Sequence, residues 1–352
     1  MSLLRKEWMA REPDFPWLEA GDVAGLESVL GELGWLKPGE RVRSAECAGE
    51  GNMNLTLRVI TSERSFVLKQ ARPWVEKYPE IAAPWERSCV EQAFYARVAE
   101  FPAVADRMPH IFGQSESARI IVMEDFVDAR DLTSLYKGDH LDDEELHILA
   151  SYLRALHVAT EDSPTPPLEN REMRALNHEH IYVVPLDSEN GLELDGYEPG
   201  LEDAARRLQA DEEFRAAVAS TGERYLADAR HLVHGDYFPG SWLRTAGGIR
   251  IIDPEFAFFG DPELDVACAT AHLALAGRPR ADAERLIDVY ASGTGAPVLD
   301  AARLARYAAI EVVRRLIGVA QLPIAATRGE RAALLARARN AMLGARHEAL
   351  WP

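Results

Sequence analysis

A change of apolar period partway along the chain limits the fold more than any other feature of the sequence. From Val42 to Gln70 apolar residues alternate. Leu55, Leu57 and Val59 share one side of a strand, and Phe66, Val67 and Leu68 open a second strand after the polar turn Thr61–Ser65, the pattern of an antiparallel hairpin. Residues 86–100 turn to helical spacing through Val90, Ala93, Phe94 and Val98, and Ile120–Met123 reads as another buried strand. Beyond about residue 127 the stretches 143–160, 201–219, 264–276, 281–292, 299–320 and 329–349 carry apolar residues at helical spacing. A short leading helix is expected at 20–34, stopped by Gly34. Leu232-Val233 and Ile249–Ile252 interrupt the helical part and read as a strand pair. The expected class is α+β: a β-rich N-terminal lobe over 1–125 and a mainly helical C-terminal lobe over 126–352, with the seam near Glu124–Asp128.

At 352 residues the chain is long enough for two such units, each with its own core. Lys and Arg number 39 against 57 Asp and Glu, a net charge of −18, which argues against nucleic acid or an anionic membrane as the main partner. The three cysteines, Cys47, Cys89 and Cys268, stand far apart without a C-x-x-C pair, so neither a zinc knuckle nor a disulfide framework is supported, and a cytoplasmic location is expected. No apolar h-region follows the Met1–Trp8 start, so no secretory leader is expected. No stretch approaches the ~18 apolar residues of a membrane span.

The segment His234-Gly235-Asp236-Tyr237-Phe238-Pro239-Gly240-Ser241, followed by Ile251-Ile252-Asp253-Pro254-Glu255, carries the chemistry. An acidic turn residue alone signals nothing. Here, however, a hydroxyl follows Asp236 five positions later, and Asp253 follows it seventeen positions later, directly after an apolar strand. Phosphoryl transfer uses this form: an Asp near the acceptor hydroxyl, then metal-binding oxygens at +5 and after the next strand. Ser241, Asp253 and Glu255 are hard oxygen ligands suited to Mg²⁺, Asp236 is the expected base, and His234 is expected to brace the loop.

A second group lies earlier. Lys69 ends the strand Phe66-Val67-Leu68-Lys69, where an ammonium could hold the α- and β-phosphates of ATP, and Glu91 on the following helix is its expected partner. Taken alone, the two residues are better read as an edge-strand Lys facing solvent and an ordinary helix-surface Glu; the Asp236 segment reverses that preference. Gly51, Asn52 and Asn54 lie in a turn whose amides could cover phosphates. Glu124 and Asp125 follow the third strand, where backbone groups could meet adenine, although a plain strand-ending turn fits equally well.

These residues resemble the aminoglycoside-phosphotransferase/choline-kinase superfamily and, within it, the 5-methylthioribose kinase family. Gly51-Asn52-Met53-Asn54, Leu68-Lys69-Gln70-Ala71, His234–Ser241 and Asp253-Pro254-Glu255-Phe256-Ala257-Phe258 stand where that family carries its phosphate loop, strand lysine, catalytic loop and metal motif. Asn170-Arg171-Glu172-Met173 is similar to a further family segment, and Arg314-Arg315 to its paired-arginine helix, which implies cationic side chains near the substrate or the transferred phosphate. The resemblance implies a protein-kinase-like bilobal fold, ATP and Mg²⁺ as cofactors, a small-molecule hydroxyl acceptor, a homodimer, and a loop-bracing role for Asp265. Departures at Phe238-Pro239, at Gly260–Asp265 and in 72–85 fall mainly on substrate-side surfaces. They leave the kinase reading in place and the acceptor open, a sugar such as methylthioribose first and an aminoglycoside or amino alcohol second; a catalytically silent nucleotide-binding protein is a separate, third alternative, which the complete phosphate-site motifs oppose.

Overall fold

The computed structural model of the chain describes residues 2–49, 53–161, 167–325 and 329–352. Its internal contacts divide it into two compact units, Met1–Ala129 and Arg130–Pro352.

The first unit begins with two helices, α1 (Leu3–Arg11) and α2 (Val23–Glu32), capped by the side chains of Ser2 and Asp22. No residue of α1 is fully buried, so it carries no apolar stripe that the sequence could reveal. Strands β1 (Val42–Cys47), β2 (Leu55–Thr61) and β3 (Ser65–Gln70) follow, then α3 (Arg87–Val98), α4 (Pro102–Ala105), β4 (Ile111–Ser115) and β5 (Ile120–Glu124). The strands form one sheet in the order β1-β2-β3-β5-β4, antiparallel throughout. Leu57, Val59, Phe66, Leu68, Ile120 and Val122 pack with Leu26 and Leu30 of α2 into its core, each worth about 1.5–3 kcal/mol on burial. Strand side chains alternate between faces, so Lys69 leaves the sheet on the side opposite Leu68.

The second unit opens with β6 (Arg130–Asp131) and α5 (Asp143–Thr160), whose start is fixed by a capping box between Asp142 and Glu145. Next come α6 (Arg171–His178), a π turn over Glu179–Val183, α7 (Leu201–Gln209) and α8 (Glu212–Leu226). Strands β7 (His231–Val233), β8 (Trp242–Thr245), β9 (Gly248–Ile251) and β10 (Phe258–Gly260) precede α9 (Glu263–Leu275), α10 (Arg280–Ala291), α11 (Ala301–Ile317) and α12 (Glu330–Gly344). Packed between α9 and α12, α11 is buried along its whole C-terminal half.

Two expectations need correction. The apolar runs Leu232-Val233 and Ile249–Ile252 do not pair with each other. β7 pairs with β10, while β9 pairs with β8 across a tight turn at Ala246-Gly247. Those partners, Phe258–Gly260 and Trp242–Thr245, are too short to show alternation. The helix expected over 201–219 is two helices, because Asp211 turns its carboxylate onto the Phe214 N–H and caps α8 as a new start. No described helix is long and apolar enough to cross a membrane.

Candidate active site

In the first unit, alternation along β3 brings Lys69 to Glu91 on α3. Lys69 Nζ lies 2.8 Å from Glu91 Oε1 and 3.0 Å from Oε2, with both residues buried. Burial rules out the solvent-facing reading of the pair. One turn before Glu91, Arg87 is 1% exposed. It donates to Asn54 Oδ1 (2.9 Å) and to the carbonyls of Met53, Arg72 and Pro84 (2.7–2.8 Å). Asn54 is thereby tied to the start of α3. Gly51 and Asn52 lie outside the described residues. The Glu124 N–H donates to His110 O at 2.8 Å, and the buried Asp125 carboxylate takes Arg58 at 3.0 Å. Both residues thus hold the strand end, and the Glu124 N–H is committed within the unit.

In the second unit, the loop after β7 is fixed from below by Asp265 on α9. Its fully buried carboxylate accepts from the His234 N–H at 2.7 Å and the Gly235 N–H at 2.9 Å, and it also meets His157 Nε2 at 3.1 Å. His234 Nε2 lies 2.9 Å from Ile252 O, linking the loop to the strand that precedes Asp253. Gly235 sits at φ +84°, and a Cβ there would stand 2.2 Å from Phe256 O, so only glycine fits. Together these constraints set the position of Asp236.

Both guanidinium contacts of the Asp236 carboxylate fall on one oxygen. Arg314 Nη2 reaches Oδ1 at 2.7 Å and Arg315 Nη2 reaches it at 3.1 Å. Among the described residues Oδ2 takes no partner, and the side chain keeps 19% exposure. Arg314 and Arg315 are only 6% and 5% exposed, so the pair is no solvated helix face. Burial works against the charge of Arg314, but Glu311 and Asp236 overcome it and raise its pKa.

Ser241, Asp253 and Glu255 offer oxygen atoms of the kind Mg²⁺ takes. The Ser241 hydroxyl donates to Asp236 O at 3.2 Å, which engages its proton and leaves oxygen lone pairs for a cation. Asp253 stands in the left-handed region at φ +66°, a conformation that costs a non-glycine residue about 1–3 kcal/mol and collects at functional sites. Glu255 is 6% exposed, and Asn170 Nδ2 donates to its backbone oxygen and to Ala257 O, both at 3.0 Å. The donor set fits Mg²⁺.

Several contributing residues escaped the sequence reading. Glu311 sits three and four positions before the paired arginines, on the same helical face, and that spacing was the available signal. Arg87 lies four residues before Glu91, a weaker one. His272, one helix away from Glu311, gave none.

A paired lysine and glutamate beside an antiparallel sheet, a braced loop aspartate and an oxygen-rich Asp-x-Glu turn define a phosphotransferase scaffold. Residues 45–305 match the model of the Phosphotransferase enzyme family, and the chain belongs to that family. It is similar to a methylthioribose kinase of Exiguobacterium sibiricum, at 30% identity over 263 residues, 70% of this chain and 64% of that protein. It is also similar to a methylthioribose kinase of Cronobacter sakazakii, at 29% identity over 286 residues, 73% and 69% of the two chains. The chain thus spans a little under two thirds of the Exiguobacterium protein's length. Among solved structures, a spectinomycin phosphotransferase in complex with ADP and spectinomycin superposes with a TM-score of 0.53 at 12% identity, covering 93% of this chain and 98% of that one. Choline kinase LicA from Streptococcus pneumoniae gives 0.50 at 14% identity, covering 91% and 98%. At these identities the structural likeness shows the fold.

Proposed function

We propose that the chain is an ATP-dependent kinase that transfers the γ-phosphate to a hydroxyl of a small neutral acceptor, a sugar of the methylthioribose kind first. The observation that carries this reading is the state of Asp236, with Oδ1 held by two guanidiniums and Oδ2 open. Oδ2 takes the proton of the acceptor hydroxyl as the acceptor oxygen bonds to the γ-phosphorus and the bond from that phosphorus to the ADP oxygen breaks. Asp265 keeps the loop, and with it this oxygen, in place. Lys69, held extended by Glu91, receives phosphate charge. Gly51, Asn52 and Asn54 are assigned to the phosphate loop, and the backbone at Glu124 and Asp125, apart from the committed Glu124 N–H, to adenine. Ser241, Asp253 and Glu255 would hold Mg²⁺, which when bound neutralises charge on the phosphate oxygens. The N-terminal unit is accordingly assigned to the nucleotide and the C-terminal unit to catalysis and acceptor. A homodimer in the cytoplasm completes the proposal.

An aminoglycoside or amino-alcohol acceptor is the second reading, favoured by the net charge of −18. Arg314 and Arg315 count against it, because an ammonium near Asp236 would meet two cations that already share its carboxylate. A catalytically silent nucleotide-binding protein would show a thermal shift with Mg·ATP and no turnover. A coupled ADP-release screen over sugars, amino alcohols and aminoglycosides separates the three. The expected result is turnover with a neutral sugar that Asp236→Ala abolishes. No turnover above background ATP hydrolysis, or turnover unchanged in Asp236→Ala, would overturn the reading.

A further inference from the structure

Behind the paired arginines runs a buried chain of polar contacts. The Tyr136 hydroxyl lies 2.6 Å from His272 Nδ1, and His272 Nε2 lies 2.8 Å from Glu311 Oε1. Arg315 Nε donates to that same Oε1 at 2.8 Å, and Arg314 Nε pairs with Oε2 at 2.6 Å. The outer nitrogens of both arginines then reach Asp236 Oδ1.

The charges along this chain are fixed. Burial pushes the His272 imidazole down to about 4, so at neutral pH it is uncharged and carries one N–H. Burial also raises the Tyr136 phenol well above its usual value, so its hydroxyl stays protonated. Tyr136 therefore donates to Nδ1, and the imidazole proton lies on Nε2, facing Glu311. Burial would raise the Glu311 carboxyl, but Arg314, Arg315 and His272 outweigh it and hold the group well below the usual carboxylate range.

Cys268, His272 and Glu311 also place three metal-type donors within 4.8 Å of one another. Both ring nitrogens and both carboxylate oxygens are already engaged, however, and two guanidiniums adjoin them, so the cluster orders hydrogen bonds rather than a cation.

Consecutive residues on a helix point about 100° apart, so Arg314 and Arg315 have no intrinsic reason to meet on one oxygen. Glu311 precedes them by three and four residues and lies beside both. We propose that Glu311, supported by His272 and Tyr136, is a positioning residue that turns a divergent arginine pair into a clamp on Asp236 Oδ1, leaving Oδ2 for the acceptor. The proposal rests on Asp236 being the base. Asn177 Oδ1, 3.3 Å from Arg314 Nη1, and the Phe238 ring, 4.7 Å from the Arg315 guanidinium, hold the arginines from other sides, so loss of Glu311 weakens the clamp without abolishing it.

The test is steady-state kinetics on the best acceptor of the screen above. Glu311→Gln is expected to lower kcat about 100-fold with the KM for ATP within about twofold, since the nucleotide-binding residues are untouched. His272→Gln is expected to lower kcat about tenfold, and Tyr136→Phe by less. Glu311→Gln combined with Arg315→Lys is expected to cost no more than the worse single change, because both act through one clamp. If Glu311→Gln fails to fold, His272→Gln combined with Arg315→Lys supplies the same comparison. A wild-type kcat in folded Glu311→Gln and His272→Gln, or single effects that simply multiply, would overturn the proposal. Asp236→Asn run alongside keeps the two claims apart. Activity surviving in Asp236→Asn sinks the base assignment, whereas an inactive Asp236→Asn beside a fully active Glu311→Gln sinks only the clamp.

Discussion

Lys69 Nζ sits between the two carboxylate oxygens of Glu91, 2.8 and 3.0 Å away, with both side chains buried. Two charges buried this deeply hold each other in place, and breaking such a buried pair by removing one member costs about 3–5 kcal/mol. Glu91→Gln is therefore expected to lower the thermal midpoint by several degrees and to raise the KM for ATP about tenfold, more than the KM for the acceptor. Equal rises in both KM values would show that the pair does not serve the nucleotide.

Arg87 is the mechanical link between Asn54 and the helix that carries Glu91. Arg87→Met would remove a donor from each of four oxygens at once, of which Met53 O keeps the Glu76 N–H at 3.3 Å; a buried acceptor that loses its donor costs about 1 kcal/mol or more. Differential scanning calorimetry should show clear destabilisation. Arg87→Lys should recover less than half of it, because an ammonium cannot reproduce the guanidinium fork.

Asp265 carries two backbone N–H groups of the catalytic loop on one carboxylate. Asp265→Ala removes this acceptor from both, so a fall in kcat of about 100-fold is expected from misplacement of Asp236, along with reduced stability. Unchanged kcat in a folded Asp265→Ala would mean that the loop holds itself.

Acid sensitivity should appear well above the carboxylate range. Burial is the main cause that pushes His272 and His347 down to about 4 from an ordinary 6.5. Between pH 6.5 and 4 the unfolded chain therefore binds more protons at these positions than the folded one, and stability falls as the pH drops through that window. A shift of this size corresponds to an effect on the order of 3 kcal/mol per residue. Thermal midpoints measured from pH 7.5 to 4.5 should decline, and His347→Gln, which lies outside the site, should flatten part of the decline. A flat wild-type profile would contradict the burial of both rings in neutral form.

Much of this was legible in the chain because it is local. Alternation put Lys69 on the face away from Leu68, and the Asp236, Ser241, Asp253 spacing marked one loop and one turn. What could not be read depends on partners distant in sequence. His272 and Glu311 come from different helices, and no pattern of period 2 or 3.6 joins them. The pairing of β7 with β10 rather than β9 is decided by tertiary context around strands of three or four residues. The paired arginines were expected near substrate, and the structure brings them onto Asp236 itself.

Whether Asp236 Oδ2 is the base for phosphate transfer to a small neutral hydroxyl compound is decided by following the phosphorylated product from ATP and methylthioribose with wild type and Asp236→Asn. The wild type is expected to form one phosphorylated acceptor per ADP, and Asp236→Asn to be slower by about 10²–10⁴ with the fold intact. Product formed at the wild-type rate by Asp236→Asn would contradict the base assignment.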